Sequence, residues 1–150
     1  MSTTATPRRD AAPLESPGGF VGHVGLVVEQ VAPDRVTGHI ELGPEHHTPW
    51  GIVHGGVYAT AIESAASIGA TAAVGERGQV AVGLTNTTHF LRSLSSGRVE
   101  VEAVALYQGR THQLWRAHVT DERGRLVAHG ELRLQNIEGA PPTTAPASGA

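Results

Sequence analysis

The chain has 150 residues, 39% of them hydrophobic and 17% charged, and a formal net charge of −3 at pH 7. This length corresponds to one ordinary domain with a real core, and the small negative charge argues against a nucleic-acid binder, which would show a basic face. Cysteine is absent, which excludes a disulfide framework, a thiol nucleophile and a cysteine-based zinc site.

The chain ends differ in composition from the middle. Residues 1–18 hold Thr, Pro, Arg and Ala without periodicity, and residues 139–150 are rich in Pro, Ala and Thr; we predict a disordered arm and a flexible tail. One domain over residues 19–138 remains. No apolar run reaches membrane length, and the N-terminus lacks the apolar core of a signal peptide, so we expect no membrane partner and a cytoplasmic location.

The domain opens with two strand-like runs, residues 23–31 and 36–42, joined by a Pro-Asp turn. They should form a hairpin. Residues 43–53 are then a loop, because two prolines exclude regular structure. This loop delivers His46, His47, Thr48 and Trp50 to the start of a helix.

The helix runs from about Gly55 to Gly75, and its only charged residue is Glu63. Apolar residues recur at spacings of three and four, and small hydroxyl residues recur at the same spacing around the acid. A surface helix would carry a charged stripe, so this stripe is predicted to line a cavity or an interface. Its members are Thr60, Glu63, Ser64, Ser67 and Thr71.

After the helix, a turn at residues 75–78 leads into a long strand over residues 79–91. We expect strict alternation along it, with Val82, Leu84 and Asn86 on one face and Gly83 and His89 on the other. Three more strands follow, with short Gly-containing loops between them, at residues 98–107, 111–120 and 125–136. One apolar helix and about six antiparallel strands predict an α+β fold in which the sheet curls around the helix.

Glu63 is the first candidate for chemistry. An ionised carboxylate is costly to bury unless it is paired or hydrogen-bonded, and an acid in such surroundings is typical of a working site. The alternative is a core helix in which Glu63 is neutral and hydrogen-bonded by Ser67.

The helix start is the second candidate. Gly55 and Gly56 would let a ligand approach backbone N–H groups at the positive end of the helix dipole, which suit a developing oxyanion. His54 and Glu63 are nine residues apart, about two and a half turns, so they point to nearly opposite sides roughly 13 Å apart along the axis. A site that uses both therefore needs two chains, as a two-fold dimer supplies.

Other kinds of site fit the sequence less well. Nine histidines suggest a metal, but adjacent loop histidines such as His46 and His47 project in different directions and no Asp or Cys completes the set. We therefore expect no metal and no cofactor. There is no Gly-x-Ser-x-Gly elbow for a serine hydrolase, and the glycines lack the spacing of a Rossmann or P-loop cradle.

Several spaced motifs occur in the order seen in one known family. The run His54-Gly55-Gly56 is followed by Glu63, and then by Ser64 and Ser67. Over about residues 20–137 the chain resembles the hot-dog-fold acyl-CoA thioesterases, and within them the phenylacetate-pathway and 4-hydroxybenzoyl-CoA type. The further matches are Val82-Gly83-Leu84, Asn86, His89, Arg92-Ser93, Ser96-Gly97-Arg98, Gln113-Leu114-Trp115 and the run from Asp121 to Leu126.

The resemblance implies a hot-dog fold and hydrolysis of an aromatic or medium-sized acyl-CoA. The Gly55 N–H would polarise the thioester carbonyl, with His54 holding the turn or adding a hydrogen bond. Glu63 of the partner subunit would act as nucleophile or as general base on water. Ser64 and Ser67 would orient the carboxylate, the water or the acyl group. His89 lines the site in relatives that share it; its alternative is a strand histidine bonded to a carbonyl.

One position departs from the family. Relatives carry Gln or Asn six residues before the His-Gly pair, where this chain has Thr48, and the adjacent His47 is the candidate to replace the missing amide. For CoA, the resemblance places Val82 and Gly83 along the pantetheine arm. It also implies a homo-oligomer with sites at the dimer interface, and a tetramer built from two dimers. Phosphate contacts are expected from Arg92, Arg98 and Arg110.

Two alternatives to the thioesterase remain. One is an acyl-CoA binding or sensing protein with the same fold but no turnover; the retained Glu63 speaks against it, and the loss of the usual amide at Thr48 speaks for it. The other is a hot-dog hydratase or dehydratase, which needs an acid and a histidine placed together in one short segment. This helix lacks that pair.

Overall fold

The computed structural model describes residues 19–139. Its central element is helix α2, Gly55–Val74, which spans 20 residues. His54 precedes the helix and caps it, because its backbone is extended and its side chain accepts a hydrogen bond from the Gly56 N–H. After Val74 the chain passes into a 3₁₀ turn, Gly75–Arg77. The predicted helix and the turn after it are therefore confirmed.

Six antiparallel strands form one sheet around this helix: β1 Val27–Ala32, β2 Arg35–Leu42, β3 Gln79–Phe90, β4 Gly97–Gln108, β5 His112–Asp121 and β6 Leu126–Glu138. Their order in the sheet is β1-β2-β4-β5-β6-β3. Along β2, β5 and β6, buried residues that face the helix alternate with more exposed ones, which is the pattern of a sheet with one covered face. The predicted α+β hot-dog architecture is confirmed.

The core lies between α2 and the sheet. Trp115 of β5 is fully buried and reaches α2 at Gly69, where an added Cβ would stand 2.4 Å from the indole. Its indole N–H donates to Gln113 Oε1 at 2.9 Å, and Gln113 Nε2 donates to the Ala70 carbonyl oxygen at 3.0 Å. A buried polar link thus fixes the helix against the middle of the sheet.

The beginning of the domain differs from the prediction. A strand was expected from His23, but residues Gly19–Val24 form a short helix, α1, which ends at Gly25 with φ +82°. The His23 Nδ1 donates to the Gly19 carbonyl oxygen at 2.8 Å within this helix. Because Val24 joins the core, packing overrides the strand-like composition of the segment.

Strand β3 also differs from strict alternation. Gly83 pairs with Leu134 and Thr85 pairs with Arg133, which are neighbours on β6, so Leu84 is one extra residue on β3 without a partner. This β-bulge reverses the alternation at Leu84. Gly83 and Asn86 therefore face the same side, towards α2, and the predicted grouping of Asn86 with Val82 is wrong.

Two further expectations concern the ends and the membrane. The predicted arm over residues 1–18 lies outside the described residues, as does the predicted tail apart from Gly139. By length and composition alone, Gly55–Arg77 could cross a membrane, which the sequence analysis did not expect. The core helix of a soluble protein has the same length and composition, and here 50% of the most apolar stretch of this helix is buried inside the fold.

Candidate active site

The first turn of α2 leaves one backbone amide open. The Gly56 N–H donates to His54 Nδ1 at 2.8 Å, and the Val57 N–H donates to the His54 carbonyl oxygen at 3.0 Å. Among residues 19–139 the Gly55 N–H has no hydrogen-bond partner. An unpaired amide at the positive end of a helix dipole is suited to bind a carbonyl oxygen or an oxyanion.

His54 adds a second donor at this place. Since its Nδ1 accepts from Gly56, the neutral ring carries its proton on Nε2. The side chain is exposed, and the backbone is held on both sides: Val53 N–H donates to the Leu94 carbonyl oxygen and His54 N–H to that of His46, each at 2.8 Å. The helix start can therefore present two donors on a fixed backbone.

The preceding loop is a rigid turn. Thr48 closes it, because its N–H donates to the Ile52 carbonyl oxygen at 2.7 Å and its own carbonyl accepts from Gly51 N–H at 3.0 Å. The Thr48 hydroxyl accepts from Trp50 N–H at 3.3 Å. His47 is tied by its Nε2, which donates to the Ser95 carbonyl oxygen at 2.6 Å. Thr48 and His47, the two candidates to replace the Gln or Asn side-chain amide of the family, thus both help to hold the loop.

His46 has a structural place. It is buried, its Nε2 donates to the Val24 carbonyl oxygen at 2.8 Å, and its Nδ1 accepts from Gly43 N–H at 3.1 Å. Both ring nitrogens are occupied, so this side chain offers no ligand. Within residues 19–139 no group of three or more His, Cys, Asp and Glu side chains is arranged to hold a metal ion.

Glu63 lies against β3 at the bulge. Asn86 Nδ2 donates to Glu63 Oε2 at 3.0 Å, and a Cβ added to Gly83 would stand 2.6 Å from Glu63 Oε1. The bulge is what allows both contacts, because residues three apart on a regular strand face opposite sides. The carboxylate is therefore fixed from β3, with the missing side chain of Gly83 making room for it.

This contact bears on the alternative in which Ser67 hydrogen-bonds Glu63. Its hydrogen-bond donor is Asn86 and, among the described residues, Ser67 makes no hydrogen bond to it. Asn86 therefore belongs to the surroundings of Glu63, although from the sequence it was expected only as one of the matches to the family. The available signal was its spacing from Gly83, which becomes informative only when the bulge is known.

The polar stripe of α2 is left partly open by its own chain. Its five members are neither buried nor fully exposed, although they lie in the middle of the protein's longest helix. Ser64 and Ser67 have no side-chain hydrogen bond among residues 19–139, whereas Thr71 Oγ1 accepts from Ala81 N–H at 3.2 Å. Hydroxyl groups therefore remain available beside Glu63.

Two predicted binding residues of β3 point the other way. Val82 directly precedes Gly83 on the strand and therefore faces the opposite side of the sheet. His89 lies between Thr88 and Phe90, which face the helix, so it also faces away. It pairs with His129 of β6, and the two rings stack with centroids 6.5 Å apart. His89 thus belongs to the outer face of the sheet. The structure does not bring Val82 and His89 together with Glu63 in one chain.

The three arginines expected to bind phosphate are in different surroundings. Arg98 contacts Glu100 at 2.6 Å, Glu29 at 3.0 Å and Glu41 at 3.6 Å, and the hydrogen bond to Glu100 raises the pKa of its guanidinium. Arg92 and Arg110 are exposed, and their side chains make no ion pair with the described residues. Arg98 is therefore held by carboxylates, and the other two are free to reach a phosphate.

The two halves of the candidate site do not meet in one chain. Gly55 and Glu63 are eight residues apart on an unbroken helix, which separates them by roughly 12 Å along the axis. Strand β3, which carries Asn86, is at an edge of the sheet. Its outer backbone groups have no partner strand in the described chain, so this edge is open to pairing.

Comparison with known proteins agrees with this architecture. Residues 51–128 match the model of the Thioesterase superfamily. Rv1847 of Mycobacterium tuberculosis (strain H37Rv) is 43% identical over 133 residues, covering 87% of this chain and 94% of that protein. It is named as a candidate esterase. The 1,4-dihydroxy-2-naphthoyl-CoA hydrolase of Escherichia coli K12 is 31% identical over 116 residues, covering 77% of this chain and 84% of the other.

Solved structures give the same result. The structure of Rv1847 superimposes with a TM-score of 0.78 at 42% identity and covers 81% of this chain and 98% of that one. The thioesterase HI1161 of Haemophilus influenzae gives a TM-score of 0.74 at 27% identity, covering 79% and 82% of the two chains. The chain therefore belongs to the thioesterase superfamily and is a thioester hydrolase with the hot-dog fold.

Proposed function

We propose that this protein hydrolyses an aromatic or medium-sized acyl-CoA to the free acid and CoA. The observation that carries the proposal is the Glu63 carboxylate, held 3.0 Å from Asn86 Nδ2 beside the vacant side-chain position of Gly83. The aromatic acyl group is supported by relatives named as naphthoyl-CoA hydrolases. It also agrees with the resemblance to the phenylacetate-pathway and 4-hydroxybenzoyl-CoA type.

The helix start supplies the electrophilic half of the reaction. The thioester carbonyl oxygen accepts from the open Gly55 N–H, with His54 Nε2–H as a second donor. Both donors stabilise the negative charge that forms on this oxygen in the transition state. Thr48 adds a hydroxyl proton near the carbonyl or the water, in place of the family's amide, and His47 holds its loop.

Glu63 supplies the other half from the partner subunit. As a nucleophile it attacks the acyl carbon, the C–S bond breaks, CoA leaves as thiolate, and water then hydrolyses the mixed anhydride. As a general base it takes a proton from a water that attacks the same carbon, after which the C–S bond breaks and CoA leaves as thiolate. Ser64 and Ser67 lie on the same open stripe and orient the water or the acyl group in either route.

A homodimer through β3 is part of the proposal. Strand β3 is a 12-residue edge strand with exposed Val82 and Leu84, and an exposed edge of this length is a template for another strand. Pairing with a second β3 would close the edge and bring the open stripe of one α2 towards the helix start of the other. The assembly of two such dimers into a tetramer follows the family resemblance.

The CoA moiety lies at the rim of this site. Arg92 lies two residues after the end of β3 and Arg110 lies in the β4–β5 turn, both exposed, so they are the proposed phosphate contacts. Arg98 is left out because three carboxylates already surround it. Val82 and Gly83 remain candidates for the pantetheine arm, and His89, on the outer face of the sheet, remains a candidate for lining the site. We place the protein in the cytoplasm, where acyl-CoA is available.

The competing function is an acyl-CoA binder without turnover, which the loss of the family amide at Thr48 favours. The test is release of CoA thiol from a panel of acyl-CoA esters, followed with a thiol reagent, for the wild type and for Glu63→Gln. The amide has the carboxylate's size but can neither attack nor take a proton, so hydrolysis should fall at least ~10²-fold.

The matched control is Glu76→Gln, an exposed acid just after α2, which should hydrolyse at the wild-type rate. Binding of the ester by Glu63→Gln, measured by calorimetry, should remain close to that of the wild type. A wild type that binds esters without releasing thiol would establish the binder instead.

A further inference from the structure

Phe90, the last residue of β3, lies directly against the helix start. A Cβ added to Gly55 would stand 2.9 Å from Phe90 Cζ and 3.0 and 3.1 Å from Cε1 and Cε2. The ring end of Phe90 therefore contacts the residue whose N–H is open. The bulge at Gly83 places Phe90 on this side of the strand, two residues after Thr88 and four after Asn86.

The ring is only partly used by the fold. Phe90 is 56% exposed and does not belong to the buried core cluster. A large aromatic surface that is fixed on one side and open on the other gains little stability from its own chain. Ligand sites combine apolar and aromatic side chains with a few placed polar groups, and Phe90 lies beside the open Gly55 N–H.

We propose that Phe90 determines the preference of this enzyme for flat, aromatic acyl groups, which rests on the proposed hydrolysis of acyl-CoA. A carbonyl oxygen bound at Gly55 N–H puts the acyl carbon within a few ångströms of this residue. The first atoms of the acyl group then lie in the range of the Phe90 ring. An aromatic acyl group offset-stacks on that ring or meets it edge to face, whereas an aliphatic chain gains only contact area.

Substitution at Phe90 separates acyl recognition from recognition of CoA. We would measure kcat/KM of the wild type, Phe90→Leu and Phe90→Ala with a bicyclic aromatic, a monocyclic aromatic and a straight-chain acyl-CoA. The ratio of aromatic to aliphatic kcat/KM should fall about tenfold in both variants, the upper range for one aromatic pair. The matched control is Phe20→Leu, since the chain has two phenylalanines and Phe20 of α1 is also exposed; its ratio should equal that of the wild type.

The outcomes are distinct. If both Phe90 variants lose activity equally towards all three esters, Phe90 borders the common CoA arm or only supports the fold, and the inference is wrong. An unchanged ratio with unchanged rates overturns it as well. If the wild type releases no thiol from any ester, the proposed function fails and this inference fails with it, before any variant is compared.

Discussion

Gly83→Ala is the substitution whose effect follows most directly from the geometry of the site. The added methyl group would stand 2.6 Å from Glu63 Oε1, whereas ordinary contact begins at 3.4 Å. The difference, 3.4 − 2.6, is about 0.8 Å, so the carboxylate must move by that distance and lose its alignment with Asn86. Misplacement of a reacting group by about 1 Å can cost 10²-fold, and we therefore expect kcat to fall about 30- to 100-fold.

The free energy of unfolding should not fall together with kcat, so a loss of activity in Gly83→Ala cannot be attributed to unfolding. Alanine in a strand avoids part of the entropy cost of glycine, worth about 0.5–1 kcal/mol, so the free energy of unfolding should be unchanged or slightly higher. The assay is thiol release together with urea unfolding of the same preparation. Gly75→Ala is the matched control, because an added Cβ there meets nothing within 4 Å. Wild-type turnover in a folded Gly83→Ala protein would refute the placement of the Glu63 carboxylate.

Three further predictions concern Asn86 beside Glu63, Gly55 beside Phe90, and His118 on the outer face of the sheet. Asn86→Asp should replace a donor by a like charge about 3.0 Å from Glu63, so turnover at pH 7 should fall at least tenfold and the pH–rate profile should move to higher pH; an unchanged profile would contradict the contact. Gly55→Ala should lose activity because its Cβ meets Phe90, and Phe90→Ala in the same chain should restore part of kcat; no recovery would mean that the ring is not the obstacle. Burial, with neighbouring His129 and Arg116, lowers the pKa of His118 below its ordinary 6.5 against the opposing effect of Glu102. Because the unfolded chain then binds more protons, stability should be lost as the pH falls below about 6.5. Urea midpoints at pH 7.5 and 5.5 should therefore differ less in His118→Gln than in the wild type. Equal differences in the two proteins would exclude His118 as a source of the pH dependence of stability.

Much of the fold could be predicted because the signals are local. The small-residue helix from Gly55, its end near Gly75 and the Pro-Asp turn after Ala32 depend on periodicity and turn residues within a short window. The isolation of Glu63 is equally local, since it needs only the absence of other charges along the helix.

What could not be predicted depends on contacts between distant segments. The bulge at Gly83 is a property of pairing with β6, and it decides that Asn86 and Phe90 face the helix while His89 does not. Arg98 was expected at a phosphate because strand-end arginines are mobile, but Glu29 and Glu41 from two other strands hold it. The hydrogen bond from buried His46 to the Val24 carbonyl oxygen likewise joins residues that are 22 positions apart in the chain.

The central claim is that one catalytic site combines the helix start of one chain with the Glu63 of another. Its most direct test is to mix inactive Glu63→Gln protein with inactive Gly55→Pro protein after dissociation and reassociation, with helix content of both checked by circular dichroism. About half of the dimers would be mixed, each with one intact site and one doubly defective site, so activity should recover to about a quarter of that of the wild type. No recovery, with mixed dimers confirmed by mass spectrometry, would contradict a site shared between two chains.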